Sequence, residues 1–190
     1  MILVTGSAGY IGSHACKCLK RNGYTPVTFD NLSTGYKKNI ALFFNYNNFY
    51  FLEGDIRNLD TCKEATIGCD YVFHQAALGS VPRSIKDPIT TNSVNIDGFL
   101  NMIVASKDAD VKRFVYAGTC HEYGQTANQF EKIPPNAALN PLSFYGSTKA
   151  SGFHLINNLS TELKLELVYA RIFSAYGLGQ NKYNFWPMLR

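Results

Sequence analysis

Tyr145 and Lys149 stand four residues apart in YGSTK, at the start of a stretch with helical spacing, so their side chains share one helix face. A tyrosine hydroxyl titrates near about 10 unaided. An adjacent ammonium and a bound cationic ring both favour the phenolate, which makes the pair a base usable near neutral pH. Lys149 then has two tasks, lowering the tyrosine's pKa and holding a ribose. Thr119, just beyond an apolar run, adds a hydroxyl that can hydrogen-bond a reacting oxygen. A Tyr-x-x-x-Lys pattern alone is common on solvated helix faces. It gains meaning from a second cluster, Thr5 to Gly12, which reads TGxxGxxG. Gly6 permits a tight turn, Gly9 lets backbone approach a pyrophosphate, and Gly12 lets the following helix pack on a strand. The helix start adds unpaired amides and positive potential. Tyr10 and Ile11, inside the motif, are expected at the same dinucleotide.

Asp30 closes the next apolar run, with Asn31 beside it. A carboxylate there accepts hydrogen bonds from both hydroxyls of an adenine ribose and repels a 2′-phosphate, which favours NAD over NADP. Lys37 and Lys38 are the nearby residues that would argue for NADP.

These groups need a scaffold, and the chain alternates short apolar runs with helically spaced stretches. Strands are expected at Met1 to Thr5, Tyr24 to Phe29, Phe49 to Leu52, Tyr71 to His74, Arg113 to Ala117 and Leu165 to Ala170. Helices are expected at Ile11 to Arg21, Gly35 to Tyr46, Asp60 to Ile67, Thr91 to Ser106 and Tyr145 to Leu163. This predicts an α/β fold, a Rossmann-like doubly wound parallel sheet of about six strands with helices on both faces. Its ligand crevice lies at the strands' carboxyl ends, so the two long connections, Gln75 to Thr90 and Gly118 to Phe144, should line the site.

With 190 residues, 46% hydrophobic and 17% charged, the chain can bury one sizeable core and is not disordered. No run approaches the roughly 20 apolar residues of a membrane span, and a soluble, cytoplasmic protein is expected. The net charge of +4 comes from scattered basic residues, which gives no argument for nucleic acid or membrane surfaces. Cys16, Cys18, Cys62, Cys69 and Cys120 are odd in number and lack CxxC, so free thiols are expected. The four histidines show no ligand spacing, and no metal site is expected.

From Met1 to about Gln180 the sequence resembles the extended short-chain dehydrogenase/reductase family that acts on nucleotide-diphosphate sugars. The resemblance is carried by TGxxGxxG, Asp30, the Asp55–Ile56 pair, Thr119 and YxxxK, with Asn95 at the family's central helix asparagine. It implies adenine contacts from Asp55 and Ile56, and places Ala76 and Ala77 behind the cofactor's ribose and nicotinamide. The first 36 residues look most like UDP-galactose 4-epimerases, and His74 to Asn92 like UDP-N-acetylhexosamine 4-epimerases, which implies Gly79, Ser80 and Arg83 near the sugar. From Thr119 onward, GTCHEYG and ARIFSAYGLGQ look instead like deoxysugar reductases. In 4,6-dehydratases of the family an Asp-Glu pair follows the threonine. Cys120 and His121 occupy those places and cannot act as that pair.

The resemblance thus implies NAD-dependent 4-epimerisation of a UDP-hexose through a transient 4-keto intermediate, with Thr119, Tyr145 and Lys149 catalytic. A 4-keto sugar reductase and a non-catalytic NAD-binding module remain as alternatives, and a homodimer stays open. Ser174 stands where many epimerases carry a substrate-contacting asparagine, and Leu178 replaces a frequent proline. Relatives continue past the position of Arg190 into a smaller lobe. Residues 1–175 are therefore expected to form the NAD-binding domain and 176–190 the start of a truncated substrate lobe, with little turnover from the chain alone.

Overall fold

The computed structural model describes residues 1–46, 49–159 and 162–180. Six strands, β1 (Ile2–Thr5), β2 (Pro26–Asp30), β3 (Tyr50–Glu53), β4 (Tyr71–His74), β5 (Arg113–Thr119) and β6 (Glu166–Ile172), form one sheet in the order β3-β2-β1-β4-β5-β6. Every neighbouring pair is parallel, with Ile2 opposite both Pro26 and Tyr71. The order reverses direction between β1 and β4, and a ligand crevice opens at such a switch point.

Adjacent residues on β1 point to opposite faces, and the core divides accordingly. Leu3 packs with Phe29, Val72, Phe99, Met102 and Phe114, beneath α2 (Leu59–Thr66) and α5 (Gly98–Asp108). Val4 packs with Ala8, Cys16, Ile40 and Phe43, beneath α1 (Tyr10–Arg21). The sheet is therefore covered on both sides, as its near-continuous apolar strands require. α6 (Phe144–Leu159) lies on the Leu3 face through Ile156. All five cysteines are free thiols, and burial pushes Cys16 and Cys62 up to about 12, which leaves them unreactive.

Several expected elements differ. The helix expected over residues 35–46 is instead two short 3₁₀ turns, Lys37–Asn39 and Ala41–Asn45. Asparagine side chains compete with helical backbone bonding, and the Asn39 amide donates to the Ala8 carbonyl at 2.7 Å, tying this segment to the glycine loop. The helix expected at 91–106 begins earlier, as α4 (Pro88–Asn92), passes through a π turn at Ser93–Asp97 and continues as α5. The long connection after β4 is not structureless, since it also holds α3 (Val81–Lys86), capped by the Ser80 hydroxyl, which accepts from Arg83 N–H at 3.3 Å. The connection after β5 contains 3₁₀ turns at Cys120–Glu122 and Gly124–Gln129. The end expected for the last helix passes through residues 160–161, and most of the expected start of a further lobe, 176–190, including Trp186, falls within 181–190. Both stretches lie outside the described residues.

Candidate active site

The loops that follow the six strands all emerge at one edge of the sheet, and the residues singled out from the sequence stand there. Gly6 follows β1 with a left-handed backbone (φ +65), and a Cβ at this position would sit 2.8 Å from the Ala76 amide nitrogen. The β1 and β4 loops thus touch through a glycine that no other residue could replace without strain. At Gly12 a Cβ would meet the Gly6 carbonyl oxygen at 2.2 Å, so the turn can pack on its own helix only without a side chain. Gly9 is the N-cap of α1, no side chain caps it, and the first turn holds no acidic residue. The helix start is left open to an anion.

Asp30 ends β2 and is buried. Its two carboxylate oxygens accept from the Ala8 amide at 2.8 Å and the Leu32 amide at 2.7 Å. Leu32 adopts a left-handed φ of 58 to deliver that amide, a local strain held in place by the carboxylate. Burial raises the Asp30 pKa, and the backbone amides of Leu32, Ala8 and Gly9 oppose it.

Asn31 and Ile56 line the same cavity as Gly6, Gly9, Asp30, Ala76 and Ala77. Asp55 is held beside it by Asn31 at 2.8 Å and by a two-point pair with Arg57, whose hydrogen bonds lower its carboxyl to about 2. A second cavity of about 840 Å³ joins the first along Gln75 and Ala77 and is lined by Tyr10, Ile11, Gly79, Thr119, Tyr145, Lys149 and Ser174. A side branch reaches Gly12, Ser80 and Arg83. Its volume lies within the usual range for small-molecule sites.

Tyr145 opens α6 where its backbone amide donates to the Ser84 hydroxyl at 3.1 Å. Its hydroxyl would lie 3.9 Å from a Cβ at Gly79, and the His121 ring stands edge-on to it at 5.8 Å. Lys149, one turn along, is buried. Its ammonium donates to the Ala117 carbonyl at 2.8 Å and sits 4.5 Å from the centre of the Tyr116 ring. Burial pulls the Lys149 pKa down to about 8, while the negative charge of Glu122 opposes that shift.

The expectation that Lys149 lowers the tyrosine's pKa is not met. Burial raises Tyr145, and the neighbouring Thr119 side chain is the group that favours its ionised form. The ammonium donates to the Ala117 carbonyl. Asn95, placed by the π turn, bridges the Leu78 amide at 2.8 Å, the Leu78 carbonyl at 3.3 Å and the Thr148 hydroxyl at 3.1 Å, linking the segment after β4 to α6. Such a bulge is a common way to re-aim a side chain at a site.

Sequence reasoning missed Gln75, which lines every part of the cleft and whose buried Nε2 has no hydrogen-bond partner among the described residues. It also missed Glu122, although Thr-x-x-Glu at 119–122 is a legible capping-box pattern. Among the described residues no group of three His, Cys, Asp or Glu side chains could hold a metal, and no helix is long and apolar enough to cross a membrane.

Strand order 3-2-1-4-5-6, an uncapped glycine loop on α1 and a Tyr–Lys face over the switch point define a dinucleotide-binding α/β domain. The chain belongs to the NAD dependent epimerase/dehydratase family, which it matches over residues 2–189. It is 34% identical over 184 residues to a UDP-glucose 4-epimerase of Rhizobium leguminosarum bv. trifolii, an alignment covering 93% of this chain and 52% of the relative. It superposes with a TM-score of 0.88 and 30% identity on a Thermus thermophilus UDP-glucose 4-epimerase in complex with NAD, covering 99% of this chain and 60% of that one. It also superposes with a TM-score of 0.91 and 27% identity on a Streptomyces venezuelae dTDP-glucose 4,6-dehydratase with NAD bound, with coverage of 99% and 60%.

The chain thus spans about half the length of the curated relatives it matches, for example 52% of two Rhizobium UDP-glucose 4-epimerases. The residues present fit NAD. The side-chain-free cradle at Gly6 and Gly12, the open start of α1, the carboxylate of Asp30 and the unpartnered amide of Gln75 face one cleft or flank it.

Proposed function

We propose that the protein carrying this chain interconverts the C4 epimers of a UDP-hexose, glucose/galactose or their N-acetyl forms, through a transient 4-keto sugar. Residues 1–175 are its NAD-binding domain, and 176–190 begin the substrate lobe. The observation that carries the reading is that Thr119, Tyr145 and Lys149 line one cavity next to the glycine cradle, together with Cys120 and His121. Gly6, Gly9, Tyr10, Ile11 and Gly12 would hold the pyrophosphate, Asp30 and Asn31 the adenine ribose, Asp55 and Ile56 the adenine, and Ala76 and Ala77 the back of the nicotinamide riboside. When bound, NAD supplies a hydride acceptor that can return the hydride.

The Tyr145 phenolate takes the proton of the sugar's C4 hydroxyl while the Thr119 hydroxyl hydrogen-bonds the same oxygen, and the proton goes back when the alcohol re-forms. Lys149 would hold the ribose, and the Thr119 side chain is the group that favours the ionised tyrosine. Gly79, Ser80, Arg83 and Ser174 line the space that would hold the sugar and give it room to turn its other face to the cofactor.

Dehydration finds less support. The carboxylate nearest the threonine, Glu122, is fully buried and bonded to Thr119 N–H, Tyr169 and Arg171, and so faces away from any sugar. The full-length protein should therefore convert UDP-galactose or UDP-N-acetylgalactosamine to its C4 epimer with no net consumption of cofactor, and Tyr145→Phe should lower that rate by about 10²-fold or more with NAD binding nearly unchanged. A 4-keto-6-deoxy product, or stoichiometric oxidation of added NADH or NADPH by a keto sugar, would overturn the reading in favour of another branch of the family.

A further inference from the structure

The chemistry above leaves one buried acid without a task. Glu122 has no exposed surface, yet it lies in the 3₁₀ turn directly after β5, one turn from the cleft. Its Oε1 accepts the Thr119 amide at 2.7 Å and the Tyr169 hydroxyl, and its Oε2 accepts Arg171 Nε at 3.1 Å. The Tyr169 oxygen also lies 2.9 Å from the Lys149 carbonyl oxygen. Arg171 is only 15% exposed, its guanidinium stacked 4.3 Å over Phe153 and bonded to the Pro135 carbonyl at 2.9 Å. One carboxylate therefore joins the end of β5 to two residues of β6, and the Tyr169 oxygen in turn lies against the turn of α6 that carries Lys149.

We propose that Glu122 is a positioning residue for the catalytic pair: through its bonds to Thr119 and Tyr169 it fixes Thr119 against the Lys149 turn, and its negative charge keeps the buried Lys149 ammonium charged. The inference rests on the proposed role of Lys149 and extends it to a residue that touches neither sugar nor cofactor. A buried ammonium is disfavoured unless an opposite charge compensates for lost hydration. The ionisable groups around Lys149 are His74 from β4, Tyr116 from β5, Cys120, His121 and Glu122 from the following turn, Tyr145 from α6, and Tyr169 and Arg171 from β6. Burial holds His74 neutral and raises Tyr116, Tyr145 and Tyr169, so these four carry no charge near neutral pH. Glu122 is the carboxylate of the set, and its charge acts on Lys149 in the stabilising direction.

The test reads Lys149 directly in the unliganded 190-residue chain, by titrating its ¹³Cε and ¹⁵Nζ resonances, assigned by their loss in Lys149→Met. Wild type should titrate at about 8. Glu122→Gln, which keeps the shape and removes the charge, should lower that midpoint by about one pH unit or more. Arg171→Met, which removes the like-charged guanidinium that shares the Glu122 carboxylate with Lys149, should raise it. A part that only shaped the turn would not move the two midpoints in opposite directions. A folded Glu122→Gln protein whose Lys149 midpoint stays within about 0.3 of wild type would overturn the inference, because a neighbouring opposite charge commonly shifts a pKa by more than that. If Glu122→Gln does not fold, an unchanged or lowered midpoint in Arg171→Met overturns it equally. Failure of the epimerase reading would show only in the product assay on the full-length protein and would leave these midpoints where they are.

Discussion

His74 ends β4 one residue before the cleft, and it should make the protein lose stability in mild acid. The ring is enclosed by Phe99, Phe114 and Tyr116, with centroids 5.5–6.0 Å away. The Thr5 hydroxyl oxygen accepts from the amides of Gln75 at 3.2 Å and Ala76 at 3.1 Å. Its single hydrogen is therefore free for His74 Nδ1, 2.8 Å away, and that nitrogen must be the unprotonated acceptor. Burial, helped by the charge of Lys149, pushes the His74 pKa from 6.5 down to about 3.

A histidine with a depressed folded pKa stabilises the fold fully above its unfolded pKa, and the benefit is lost as pH falls through the window from about 6.5 to about 3. Within that window the unfolded chain binds a proton that the fold refuses, at about 1.4 kcal/mol per pH unit, which gives a loss of about 2 kcal/mol between pH 7 and pH 5. His74→Asn keeps an acceptor for the Thr5 hydroxyl and cannot titrate. It should be less stable than wild type at pH 7 because ring packing is lost, yet its further loss on going to pH 5 should be smaller by about 2 kcal/mol. Urea unfolding followed by circular dichroism at the two pH values measures both. Equal losses in the two proteins would refute the assignment of a neutral His74 and with it the hydrogen-bond pattern that links β1 to the loop after β4.

Asp30→Ala should weaken NAD binding in calorimetry by about tenfold or more, since one charge-assisted contact is worth about 1.5–3 kcal/mol; tighter binding of NADP than NAD by wild type would contradict the role given to Asp30. Asn95→Ala should lower unfolding stability by about 2–3 kcal/mol, because it strips buried partners from Leu78 and Thr148, and an unchanged urea midpoint would refute that account. Gly12→Ala places a methyl group 2.2 Å from the Gly6 carbonyl oxygen, so it should cost about 1–3 kcal/mol of stability and loosen cofactor binding, as a thermal melt with and without NAD would report.

The strands, their parallel arrangement and the glycine loop were legible because they depend on local periodicity and on a motif whose three glycines, Gly6, Gly9 and Gly12, recur every third residue. Asp30 was legible for the same reason, as the polar end of an apolar run. The segment 35–46 misled, because its apolar residues have helical spacing while its asparagines bond elsewhere, Asn39 to the Ala8 carbonyl. The π turn at Ser93–Asp97 has no sequence signature, since it exists to carry Asn95 to partners 17 and 53 residues away.

Sequence alone paired Tyr145 with Lys149 through helix geometry, but it could not say what each would meet. Only the tertiary structure turned the ammonium to Ala117, left Thr119 as the group favouring the phenolate, and closed Glu122 between Thr119, Tyr169 and Arg171. Spacing along the chain determines which side chains share a face. Charge, hydration and pKa depend on groups that arrive from other strands, and those distances come into being only when the sheet closes.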